Sequence, residues 1–222
     1  MTFAYGDEFV KSKDFQIFKK SCEAIDADLI FVPHIVEIKP NTILRDRHLC
    51  FYDFLLNCNY EKCLICDSRD VIIQDDPFTL TGDLVLTCEG MRHRQSVWNL
   101  TDQFMFQKNL NGYHLDKESD LVLNGGVIYG TPQRLAWFCF AIWALAIKSD
   151  SSDQAIINYL SNFQTIEVAG YDFCITGEGI KEGFVKVEER DGKFYHDNKL
   201  CKIFHQWDRT QWAGVIREKF KV

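Results

Sequence analysis

Apolar runs of strand length constrain this chain more than anything else in it: KCLICD (62–67), DLVLTCE (83–89) and DLVLNGGVIYG (120–130). They do not alternate apolar with polar residues. A run that is apolar throughout fits a strand covered on both faces, and so belongs inside a layered α/β fold. Helical spacing fills the gaps. Phe15, Phe18, Cys22 and Ile25 make one stripe between Asp14 and Ile25, and Leu44, Phe51, Phe54, Leu55 and Cys58 another over Asn41 to Asn57. Thr131-Pro132 reads as an N-cap and first helical residue, opening a helix to about Lys148. SSDQAIINYL (151–160) reads as the next, capped by Ser151 or Ser152.

TFAY (2–5) and ADLIFVP (27–33) supply shorter strands, the second stopped by Pro33. Beyond Ile166 the pattern turns to short strands, with Asp191-Gly192 marking a tight hairpin inside 184–196. KLCKIFHQWDR reads as a strand and then a loop. The expectation is an α/β fold with a mainly parallel central sheet, helices on both faces, and a small antiparallel C-terminal part. No linker or repeat divides residues 1–222, which predicts a single domain, either alone or as one domain of a longer protein.

Apolar residues at 46% suffice for a sizeable core, and a net charge of −7 argues against a nucleic-acid partner. The longest apolar run, Leu135 to Ile147, falls short of the roughly 17–25 residues needed to span a bilayer. The N-terminus is polar from Gly6 onward, so no signal peptide is expected. Nine cysteines, an odd number, sit in apolar segments and predict buried free thiols in a reducing, cytoplasmic compartment. Cys63 and Cys66 have C-x-x-C spacing, but on a strand those positions point to opposite faces, which disfavours a shared metal or redox role.

The chemistry gathers where the first buried run ends, in CLICDSRDVIIQDDPF (63–78). Asp67 and Asp70 just past a strand are held rigidly yet open to solvent. That suits a hard divalent cation, which takes one or two carboxylates and leaves room for phosphate oxygens. The same acids also suit a turn that caps a helix or only faces water. In α/β sheets ligands bind at the carboxyl ends of strands. Glu89 falls at another such end, and Asn124-Gly125-Gly126 interrupts a third. Glycine inside a strand often marks close approach by a ligand or by other backbone.

The whole stretch resembles the metal-binding segment of GT-A-fold nucleotide-sugar glycosyltransferases, where an apolar strand leads into Asp-x-Asp, an apolar triplet and Asp-Pro. Asp70-Val71-Ile72-Ile73 and Asp76-Pro77-Phe78 fit that frame; Ser68 stands where its first Asp would be. The chain is most similar to small glycosyltransferases of large algal viruses (chloroviruses) and their plant and bacterial relatives. LNGGVIYGT, SDQAIINYL and FHQWDR extend the likeness in order, so that it touches most of Arg47 to Arg209.

The resemblance implies a viral enzyme of glycan biosynthesis, moving a sugar from a nucleotide-diphosphate donor, a UDP-sugar, to a hydroxyl on a glycan or glycoprotein. It implies manganese or magnesium on Asp70, Asp67 and His205, with Asp67 alternatively meeting the ribose or a metal-bound water. Tyr5 would stack on uracil, Arg47 would meet phosphate or base unless it only makes a surface ion pair, Arg69 would meet phosphate or else orient the two acids beside it, and Asn124, Gly125 and Gly126 would lie under the sugars. Asp208 and Arg209 would close over the donor. For an inverting transfer, Asp153 is the first candidate for general base and Glu89 the second. An acid in the first turn of a helix also simply complements the helix dipole, as Asp153 would. Competing readings are a sugar nucleotidyltransferase, a non-catalytic sugar- or protein-binding domain, and a phosphatase using Asp67. The first lacks its usual glycine-rich basic loop in AYGDEF. Oligomeric state is left open between monomer and weak dimer.

Overall fold

A computed structural model of the chain describes residues 1–2, 7–39, 42–109, 121–149 and 151–221. The order begins with helices α1 (Asp7–Val10), α2 (Lys13–Glu23) and α3 (Ile43–Asn57), then strands β1 (Cys63–Cys66), β2 (Val71–Ile73) and β3 (Leu84–Arg92). Next come α4 (Val97–Asn109), β4 (Leu121–Gly130), α5 (Pro132–Ser149) and α6 (Asp153–Leu160), followed by β5 (Glu167–Val168), β6 (Cys174–Thr176) and α7 (Gly177–Lys181). The last stretch holds β7 (Glu188–Arg190), β8 (Lys193–His196), β9 (Lys199–Leu200), β10 (Ile203–His205) and α8 (Ala213–Phe220).

The main sheet runs β1-β4-β3-β5. Here the expected mainly parallel arrangement is not what is found among the described residues. β4 lies antiparallel to both neighbours, while β5 is parallel to β3 and Thr2 makes single parallel bridges to Cys66 and Phe31. A run apolar throughout reports cover on both faces and says nothing of strand direction, so β4 looked like its neighbours in sequence. ADLIFVP likewise joins the sheet only at its Phe31 bridge.

Both faces are indeed covered. Cys63, Ile65, Leu86 and Ile128 point into one core with α3, α5 and α6, whose Phe51, Leu135, Phe138 and Ile156 are fully buried. Leu64, Cys66, Val85 and Val127 point into another with Phe15 and Phe18 of α2. Each fully buried Phe or Ile side chain contributes about 1.5–3 kcal/mol, so packing, more than helix propensity, fixes α2 in place. Cys63 and Cys66 therefore face different cores, and all nine cysteines are free thiols.

A second sheet, β2-β10-β6, and an antiparallel β7-β8-β9 sheet complete the C-terminal part. Asp191 and Gly192 have φ of 52° and 71°, as a tight type I′ hairpin requires. Ser152 caps α6, accepting from the Ala155 amide at 3.1 Å. Helices α4 and α8 had no stripe clear enough to announce them. No helix among the described residues is long and apolar enough to cross a membrane.

One irregularity positions the site. Leu86 pairs with Ile128, but Thr87 pairs with Asn124, so Gly125 and Gly126 lie in a bulge of β4. Bulges commonly re-aim side chains beside active sites.

Candidate active site

Asp67, Asp70 and His205 come together at the end of β1. His205 Nε2 lies 3.7 Å from Asp67 Oδ2 and 3.6 Å from Asp70 Oδ1, and one ligand atom from each residue falls within 4.8 Å of the others. Strand register explains how residue 205 reaches the turn at 67–70. β10 pairs antiparallel with β2 and sets His205 opposite Val71, the residue after Asp70. The Asp67 amide donates to Gly126 O at 2.7 Å, prolonging the β1–β4 ladder by one rung.

Gly126 makes room for the cluster. A Cβ there would stand 2.2 Å from the His205 ring and 2.7 Å from Asp67 Oδ2. The close approach foreseen at the glycine pair is thus made by the protein's own side chains. Burial raises the Asp70 carboxyl, offset by His205 and reinforced by Asp67 and Asp208. Two carboxylates and an imidazole, crowded and partly buried, form a donor set that could hold a divalent cation. Asp75 and Asp76 stand apart from it. Asp76 Oδ1 accepts from the Phe78 amide at 2.8 Å, holding a turn, and Asp75 lies 3.6 Å from Lys202 Nζ.

Arg47, on α3, is neither a surface ion pair nor an open cation. Its side chain is 14% exposed and forks, with Nη1 on Asp67 Oδ1 and Nη2 on Asp153 Oδ2, both at 2.6 Å. His48 Nε2 lies 3.2 Å from the same Asp153 oxygen. Burial alone would push Asp153 up, but Arg47 and His48 outweigh it and hold its carboxyl well below the usual carboxylate range. Burial also lowers His48, which favours a neutral imidazole donating to Asp153.

Glu89 has different company. Asn124 Nδ2 and Gln154 Nε2 donate to its Oε1 at 3.1 and 3.2 Å, and Asn99 Nδ2 reaches Oε2 at 3.4 Å. Gln154 also donates to Asn99 Oδ1 at 2.8 Å, so the amides brace one another around a buried carboxylate. Asn124 Oδ1 accepts from the Gly126 amide at 2.7 Å, tying this cage to the bulge.

Two clefts flank the acidic cluster. One, of about 410 Å³, is lined by Glu89, Asn99, Asn124, Gln154, Asp153, Glu178 and Trp98. The other, of about 340 Å³, is lined by Phe9, Ile43, Ser68, Arg69 and Asp70. They share Leu44, Arg47, Asp67 and Arg209. Arg69 is exposed and has no ion pair among the described residues. Arg209 is loosely held, 4.0 Å from Asp70 and 3.8 Å from Glu178. A larger cavity of about 670 Å³, lined by Ile25, Tyr60, Lys62 and Phe78, contains none of these groups. Tyr5 lies outside the described residues. Asn99, His48 and Glu178 gave no sequence signal; Gln154 was visible only as the neighbour of Asp153.

No family model and no curated protein matches the sequence. In three dimensions the chain matches the crystal structure of a glycosyltransferase involved in the glycosylation of the major capsid of PBCV-1. The TM-score is 0.55 over 100% of this chain and 97% of that one, at 11% identity. The chain has a glycosyltransferase-like fold. At that identity the likeness speaks for architecture alone.

Proposed function

We propose that the chain is a divalent-cation-dependent glycosyltransferase that moves a sugar from a nucleotide-diphosphate donor to an acceptor hydroxyl on a glycan. The observation that carries this is the Asp67–Asp70–His205 cluster, set between an arginine-bearing cleft and an amide-lined one in a glycosyltransferase-like fold. On the sequence resemblance the donor is a UDP-sugar. Manganese or magnesium, held by those three residues, would offset the charge that develops on the leaving diphosphate.

The chain's own groups do the rest. Arg69 and Arg209 offer planar donors to phosphate oxygens from the cleft that holds the nucleotide. Arg47 fixes the orientation of Asp67 through its fork. In an inverting transfer, the acceptor oxygen bonds to the anomeric carbon as the carbon–phosphate-oxygen bond breaks. The electron pair leaves with the diphosphate, and Glu89 takes the acceptor proton. Glu89 suits this better than Asp153, whose charge is already committed to Arg47 and whose low proton affinity makes it a weak base.

The test is hydrolysis of a panel of nucleotide sugars in manganese, with product analysis. The expected result is free nucleoside diphosphate from the wild-type protein, and loss of turnover and of manganese-dependent nucleoside-diphosphate binding in a folded Asp70→Ala variant. Pyrophosphate as product, or metal-independent turnover in Asp70→Ala, would overturn the proposal.

A further inference from the structure

The outer face of α5 is apolar and open, and we infer that in solution a second copy of this chain covers it. From Leu135 to Ile147 the helix carries no charged, amide or hydroxyl side chain. A helix apolar all round is ordinarily buried all round. Here Leu135, Phe138, Cys139, Ile142 and Ala146 face the core, while Trp137 and Ile147 on the other side are 60% and 52% exposed. Alongside on α3, the Tyr52 ring lies 6.1 Å from that of Trp137 and 5.0 Å from that of Phe140, which lies 5.8 Å from that of Trp143. These rings make a packed ridge whose outer edge meets solvent. Contiguous exposed aromatic surface of this kind is typical of a protein interface. None of these side chains lines either cleft of the candidate site.

The pattern along the helix fits a copy of itself. Trp137, Phe140, Ala144 and Ile147 follow one another at steps of three, four and three residues, the spacing of helices that pair along a seam. A twofold axis crossing α5 near Ile142 sets two such seams antiparallel. Phe140 then meets the exposed Ala144 of the second copy, large against small. Trp137 meets its Ile147, with Lys148 in reach of the indole face. Each contact is made twice, as in any isologous pair. A lipid surface fits less well, because surface-bound helices are rich in Lys and Arg. The charges of α5 are only Arg134 and Lys148, Asp53 is exposed on α3, and the whole chain has a net charge of −7. With Leu56, 51% exposed one turn beyond Tyr52, the patch offers on the order of 400 Å² of apolar surface. That is about half of the roughly 800 Å² per partner in a standard interface, so the pairing is reversible, with a Kd on the order of 10 µM.

The experiment is sedimentation velocity on the chain from about 1 to 200 µM. Expected is a reversible shift from monomer to dimer. Ala144→Glu sets a charge at the centre of the seam and should leave a monomer at every concentration. Its circular dichroism and melting curve should match the wild type, because position 144 is exposed. Trp137→Lys and Ile147→Glu should each be monomeric alone yet pair when mixed, since the axis sets position 137 of one copy against 147 of the other. A wild-type monomer throughout the range overturns the inference, and cosedimentation of that monomer with phosphatidylserine–phosphatidylcholine vesicles assigns the face to lipid instead. A dimer that survives Ala144→Glu puts the interface elsewhere and also overturns it. So does a mixture of the two folded charge variants that stays monomeric.

Discussion

Asp153 and Glu89 line one cleft and are almost equally buried, at 7% and 4% exposure. Their surroundings are opposite in kind. Asp153 is held by a guanidinium and an imidazole, Glu89 by three neutral amides. Cations fix a carboxylate in its charged form and lower its appetite for a proton. Neutral donors also favour the charged form, but they bring no opposite charge to it. The lesson is that two acids alike in burial and position can differ in the charge of their partners, and so in what their removal should cost.

The largest effect should come from Glu89→Gln. Removing a general base typically costs about 10²–10⁴-fold in rate, and donor affinity should be unchanged because the nucleotide cleft is untouched. Transfer at a wild-type rate would return Asp153 to first place and break the contrast.

Asp153→Asn should act mainly on stability. Breaking a buried ion pair typically costs about 3–5 kcal/mol, and since Arg47 keeps Asp67 the loss should sit near the lower end. Urea unfolding across pH sharpens the test. A carboxyl depressed in the folded state stabilises above its unfolded pKa of about 3.9, and that gain is lost as pH falls below it. The stability gap between wild type and variant should therefore narrow below about pH 4. A gap independent of pH there would mean that the ion pair is not the source.

The smallest effect belongs to His48→Gln, which keeps a donor toward Asp153. The expected loss is about 1 kcal/mol in thermal or urea unfolding, with kcat unaltered. A changed pH–rate profile in this variant would bring His48 into the proton chemistry and undo the view of Asp153 as a fixed counterion.

Much of the framework was legible in the sequence. β1, β4, α5, α6 and the Asp191-Gly192 hairpin lie where local pattern puts them, because burial and turn chemistry are written locally. The direction of β4 was not, since it is set by how the chain returns to the sheet. The cluster of Asp67, Asp70 and His205 was readable through family likeness more than spacing, for His205 reaches the turn only through the β2–β10 register. The Glu89 cage was largely hidden. Gln154 meets Glu89 across 65 residues of sequence, and an asparagine at position 99 differs in no visible way from any surface amide.

The arrangement of Cys63 and Cys66 has a use beyond excluding a shared ligand. Burial pushes the Cys63 thiol up to about 12 and also raises Cys66, so neither presents appreciable thiolate at neutral pH while its core is closed. Alkylation then waits on opening of the structure. Because the two sulfurs look into different cores, their separate labelling rates time the loosening of the two layers independently, as clocks on one strand.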